Sequence, residues 1–104
     1  MLKILSMMKR KEGMSIQDFR DWAINTHAVI GKDMPKIRHY RVNVVTDDHA
    51  DGPYDLVSEL YFDNEDDFKA ALGSEIGAKA GADIREHCAE DRFRMMTHET
   101  IVVD

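Results

Sequence analysis

The sequence predicts an α+β fold with elements in the order βαββαβ, the ferredoxin-like arrangement of an antiparallel sheet carrying two helical regions on one face. Three observations lead there. Four short segments rich in aliphatic and aromatic residues read as strands. Two intervening stretches carry an apolar repeat close to 3.6 residues, each preceded by a side chain suited to helix capping. Turn residues separate the rest.

Residues 2–9, Leu-Lys-Ile-Leu-Ser-Met-Met-Lys, form the first predicted strand, and Lys11-Glu12-Gly13 the turn after it. Ser15 opens the first helix. Asp18 three residues on gives a capping-box-like pair, and Met14 and Phe19 are placed as a hydrophobic staple. The apolar stripe runs Phe19, Ala23, Thr26/His27, Ile30 and Met34, and Pro35 ends it because the residue before a proline avoids the helical region. Residues 38–46 form a second strand with Tyr40, Val42 and Val44 on one side. Asp47 to Pro53 is an acidic loop, and residues 54–62 form a third strand, antiparallel to the second. Asn64 caps a helix whose first turn holds Glu65, Asp66 and Asp67, where the helix dipole favours acids. Ser74 caps a further helical stretch to about Asp91, weakened by Gly77 and Gly81. Residues 93–103 form the last strand.

The 104 residues suffice for one domain, residues 1–104, and no repeat or linker divides them. The strands carry apolar groups on both faces: Phe93, Met95, Ile101 and Val103 oppose Met96 and Val102, and Leu5 and Met7 oppose Leu2, Ile4 and Met8. A sheet with helices on one face and water on the other should alternate. Two helical regions cannot cover both faces, so a second copy of the chain is the economical cover, and a homodimer is expected.

A formal charge of −6 argues against nucleic acid or an anionic membrane as the main partner. The single cysteine, Cys88, forbids an internal disulfide and points to a reducing compartment. Met1–Leu5 is too short for a signal peptide, and no stretch reaches the roughly 20 apolar residues of a spanning helix, so a cytoplasmic location is expected. No phosphate loop, dinucleotide fingerprint or zinc spacing occurs; no cofactor and no metal are expected. His87 and Cys88 are helix neighbours about 100° apart and cannot easily share a metal.

His27 is the leading candidate for chemistry. It shares a stripe with Phe19, Ala23 and Ile30, which should turn it towards the sheet, where burial favours the neutral imidazole. A neutral imidazole can take a proton from an acidic carbon and return it elsewhere; the competing reading is a core histidine bonded to a backbone carbonyl. Tyr40 can donate to a substrate oxygen, or be a half-buried strand tyrosine. Glu59, in mid-strand, can orient His27 or act as an acid if it faces the helices, or be a rim glutamate if it does not. Phe19, Ala23, Ile30 and Trp22 are the candidate substrate-binding residues. His98 and Glu99 point to opposite sides of the last strand, so only one can face a pocket.

The ordered set of Gly13-Met14-Ser15, Phe19 followed by His27, Met34-Pro35 leading to Tyr40, Asp55 to Phe62, and Glu99 before Ile101-Val-Val103 resembles the EthD family of dimeric α/β-barrel proteins over nearly the whole chain. Within it, Phe19-Arg20, His27, Met34-Pro35 and Tyr40-x-Val42 are similar to bacterial 4-methylmuconolactone methylisomerases. That resemblance implies a pocket between sheet and helices in each subunit, with His27 and Tyr40 on its wall. It also implies an isomerase, lyase or cyclase acting on a small lactone, aromatic catabolite or polyketide-like compound. Two positions depart from the family pattern: the helix tryptophan is Trp22 where Ala23 would carry it, and the last strand reads His98-Glu99-Thr100 in place of acid-acid-histidine. A non-catalytic protein carrying a small hydrophobe, or a haem-binding monooxygenase, are the rival readings.

Overall fold

The computed structural model describes residues 1–104. Its strands are β1 (Leu2–Met8), β2 (His39–Val44), β3 (Leu56–Phe62) and β4 (Phe93–His98). They form one antiparallel sheet in the order β2-β3-β1-β4, as the ferredoxin-like order requires. The first helical region consists of α1 (Ile16–Trp22), a π-helical turn (Ala23–His27) and α2 (Ala28–Gly31); the second consists of α3 (Glu65–Leu72) and α4 (Glu75–His87). No helix is long and apolar enough to cross a membrane.

The caps form as the sequence predicts. Ser15 Oγ accepts from the Asp18 N–H, Asn64 Oδ1 from Asp67 N–H and Ser74 Oγ from Gly77 N–H, at 3.0, 2.9 and 3.0 Å. Each satisfies a donor that the first helical turn leaves open. Gly77 has a second role besides weakening its helix. A Cβ there would strike the carbonyl oxygens of Ala71 and Leu72, so the absent side chain is what lets α3 and α4 meet at a sharp corner.

Three predicted element ends move by several residues, each for a structural reason. The second helical stretch ends at His87 rather than about Asp91, because Cys88 turns extended and bridges to Arg10. The first helix stops at Gly31 rather than running to Met34, because Asp33 N–H and Met34 N–H turn to the carbonyls of Ile30 and Gly31 in tighter i→i+3 bonds. The last strand stops at His98 rather than Val103. His98 pairs with Leu2, the first residue of β1, and beyond it no strand remains to pair with. Residues 99–104 instead leave the ladder, and Glu99 anchors the turn by accepting from Lys3 Nζ and Tyr61 Oη at 2.8 and 2.9 Å.

Leu2, Ile4, Met8, Leu56 and Phe62 fill the helix-facing side of the sheet and pack on Phe19, Phe68 and Ala71. The opposite face carries Lys3, Glu59, Tyr61 and Arg41 at one end and Leu5, Met7, Val57, Phe93 and Met95 at the other. Phe93 and Met95 are 52% and 44% exposed, and Ile101 to Val103 lie more open still. At the base of β1, Asp55 is 1% exposed and accepts from Lys9 Nζ, the Arg10 N–H and the Arg10 guanidinium at 3.0–3.1 Å. That carboxylate ties the start of β3 to the end of β1.

Candidate active site

A cavity of about 200 Å³ lies between the sheet and the helices. Ile4, Ser6, Met8, Ser58 and Leu60 form its floor, Tyr40 one side, and α4 the roof, through Gly77, Ala80, Gly81 and Ile84. Such a volume is below the ~300–1,000 Å³ usual for drug-sized ligands and suits a compound of one or two small rings.

His27 stands in the cavity wall and is 5% exposed. Its Nδ1 lies 3.0 Å from Asp83 Oδ2. A carboxylate only accepts, so Nδ1 carries the ring proton and Nε2, which makes no hydrogen bond within the protein, keeps its lone pair. Trp22 Nε1 donates to both Asp83 oxygens at 3.1 Å. The indole stacks with the rings of both His27 and His87, with centroids 4.9 and 4.8 Å away. His87 Nδ1 in turn reaches the Asp83 carbonyl oxygen at 2.9 Å. Asp83, Glu86 and His87 bring ligand atoms within 4.8 Å of one another, but the Asp83 carboxylate is already committed to Trp22 and His27.

Burial pushes the His27 imidazole below its ordinary value near 6.5, against the opposing hydrogen bond and charge of Asp83. The ring is therefore neutral at pH 7. Protonation favours the unfolded chain, so His27 contributes stability above about pH 6.5 that is lost as pH falls through its lower folded value. Any rate that needs its free base follows the same limb. Asp83→Asn removes the group that raises the imidazole, so the acid limb should move to still lower pH while the plateau drops; a pH–rate profile of the two proteins checks this.

The π turn explains both where His27 sits and which prediction failed. It inserts about one residue relative to an α-helix, so the inward position after His27 is Gly31 and not Ile30. Ile30 is turned partly outwards and does not line the cavity; Gly31 does. The close approach of Tyr40 requires that glycine, since a Cβ there would lie 2.9 Å from the Tyr40 ring. Burial raises the Tyr40 phenol above its usual value, so Tyr40 is a proton-bearing donor at neutral pH. Ser58 Oγ, 3% exposed and on the cavity floor, forms no hydrogen bond within the protein.

The remaining predicted residues fall elsewhere. Phe19 and Ala23 are buried in the core beneath α1, and Trp22 supports His27 from behind, so none of the three lines the cavity. Glu59 faces the opposite side of the sheet, because it alternates with the cavity-facing Ser58 and Leu60. There it pairs with Lys3 and accepts from Asn43 Nδ2 at 2.8 Å. It cannot orient His27; Asp83 does. His98 and Glu99 both lie outside the cavity. Burial pushes the Cys88 thiol up to about 12, which makes it a buried filler beside Met8.

Residues 11–91 match the EthD domain family. The chain belongs to the EthD family. A solved ethyl tert-butyl ether D (EthD) family protein from Bacillus halodurans C-125 shares 22% identity over 96% of this chain and 99% of its own, with a TM-score of 0.79. A dimeric ferredoxin-like protein of unknown function from Thermobifida fusca YX shares 20% identity, with 92% and 88% covered and a TM-score of 0.75. SnoaB from Streptomyces nogalater, a cofactor-independent oxygenase, shares 11% over 98% and 97%, with a TM-score of 0.68. At these identities the structural likeness establishes the α+β ferredoxin-like fold. No curated protein sequence matches significantly.

Proposed function

We propose that this EthD protein is a cofactor-independent acid–base enzyme, an isomerase or lyase acting on a small lactone or related ring compound in the cytoplasm. The observation that carries the reading is the His27–Asp83 pair set in a cavity wall with His27 Nε2 unbonded. His27 Nε2 takes a proton from the carbon next to a substrate carbonyl, and the electron pair moves onto the carbonyl oxygen. Asp83 stabilises the imidazolium that results. The Tyr40 hydroxyl donates to the enolate oxygen, and the Ser58 hydroxyl beside it offers a second donor. Return of the proton to a different carbon gives isomerisation; departure of a group from the neighbouring carbon gives the lyase outcome.

A homodimer is the working assembly in this reading. Leu5, Met7, Val57, Phe93 and Met95 make an apolar field on the sheet face that no helix covers, and a second sheet laid on it would bury them. Sedimentation should give twice the chain mass, and Met95→Glu should shift the protein towards monomer.

The enzymatic reading is tested by proton exchange, which requires no knowledge of the final product. Small lactones and β-dicarbonyl compounds are incubated with the protein in D2O and followed by proton NMR. Faster loss of an α C–H signal with the wild type supports the reading. Saturable binding with no exchange would make the protein a carrier.

A further inference from the structure

We infer that the cavity takes an anion: an apolar ring compound bearing a carboxylate, held by Arg85, Arg92 and Arg94. The inference rests on the proposed function and specifies its substrate class. The chain carries a net charge of −6, yet the only fully charged side chains lining this cavity are these three arginines. No aspartate or glutamate lines it; Asp83 lies behind His27.

The three guanidinium groups also lack ion-pair partners. None joins a salt bridge, although Arg10, Arg20 and Arg38 all do. Arg92 makes one long bond, 3.5 Å, to the Ala89 carbonyl oxygen. Arg94 lies over the face of Phe68, 5.2 Å from its centroid, a contact that holds the guanidinium plane at the mouth and leaves its N–H groups free to donate. Arg85 Nη1 lies beside Gly81, 3.4 Å from where a Cβ would stand.

These positions come from separate elements. Arg85 is on α4, Arg92 is on the loop after it, and Arg94 is on the cavity-facing side of the edge strand, opposite Ser6. All three line the one cavity and are exposed, which puts their charges towards its mouth, against a mainly apolar interior. A ligand with a ring for the interior and a carboxylate for the mouth satisfies both. Its anion also enters along a positive path in an otherwise acidic molecule. The carboxylate at the mouth leaves the ring carbons facing His27 and Tyr40.

The test compares 1-naphthoate with its neutral isostere 1-naphthamide, with dissociation constants measured by titration of the full chain. Charge-assisted bonds to two or three arginines should favour the carboxylate by roughly tenfold or more. The preference should vanish in R85Q/R92Q/R94Q and persist in His27→Gln; circular dichroism checks that both variants fold. Equal affinity for the two probes, or a preference that survives loss of the arginines, would overturn the inference while leaving the proton-exchange reading standing. Failure of both probes to bind would also overturn it. Loss of exchange with the carboxylate preference intact would instead remove the catalytic reading and leave an organic-acid carrier.

Discussion

His27→Ala should lower the proton-exchange rate by about 10²–10⁴-fold, the usual loss when a positioned general base is removed. The effect should fall on kcat more than on KM, because the imidazole touches the proton in flight and contributes little to the cavity's apolar grip. Truncation leaves Trp22 and Asp83 in contact, so the fold should persist. Asp83→Asn should cost less. It keeps an oxygen for one of the two donors but no longer stabilises an imidazolium, and its signature is the displaced acid limb described above. A His27→Ala protein with wild-type exchange would assign the chemistry to another group.

Asp55→Ala should destabilise the fold by about 3 kcal/mol, at the lower end of what removing one partner of a buried pair costs. The lower end applies because Lys9 and Arg10 are about a quarter exposed and can turn to water. The Arg10 backbone N–H, which Asp55 accepts at 3.0 Å, has no such freedom and loses its acceptor. Against a total stability of about 5–15 kcal/mol, that is a large fraction. Urea unfolding should show a lower midpoint, while Asp55→Asn, which keeps one acceptor, should recover part of the loss. Asp55 lies away from the cavity, so exchange activity per folded molecule should not change.

The element order was legible in the sequence because each helix announces itself with a capping side chain and each strand with a short run of aliphatic and aromatic residues bounded by turn signals. The strand ends were not, since they depend on partners. Val103 has every local property of a strand residue, but β1 has run out by His98. His27 was legible because its stripe faces the sheet in any helical phase close to 3.6. Ile30 was misplaced because a π turn leaves no compositional mark, and a single added residue rotates everything after it. Glu59 was misjudged for a different reason. Strand alternation puts it on the face of Val57 and Tyr61, opposite Leu56, Ser58 and Leu60, and only the burial of Leu56 and Ser58 decides which of the two faces is inward. Asp83 escaped notice because it lies 56 residues from His27, in a helix that Gly77 and Gly81 make weak. One signal was present: Asp83 and His87 are four residues apart, beside the inward Ala80 and Ile84. The three arginines were unremarkable singly and become meaningful only when the fold brings them to one opening.

The most direct test of the account is nitrogen-15 NMR of the His27 ring, with His27→Gln used for assignment. A neutral imidazole at pH 7 is expected, its proton on Nδ1, its Nε2 bare, and its titration displaced to the acid side of the ordinary histidine value. A ring already protonated at pH 7, or one holding its proton on Nε2, would leave no base pointing into the cavity and would contradict the mechanism.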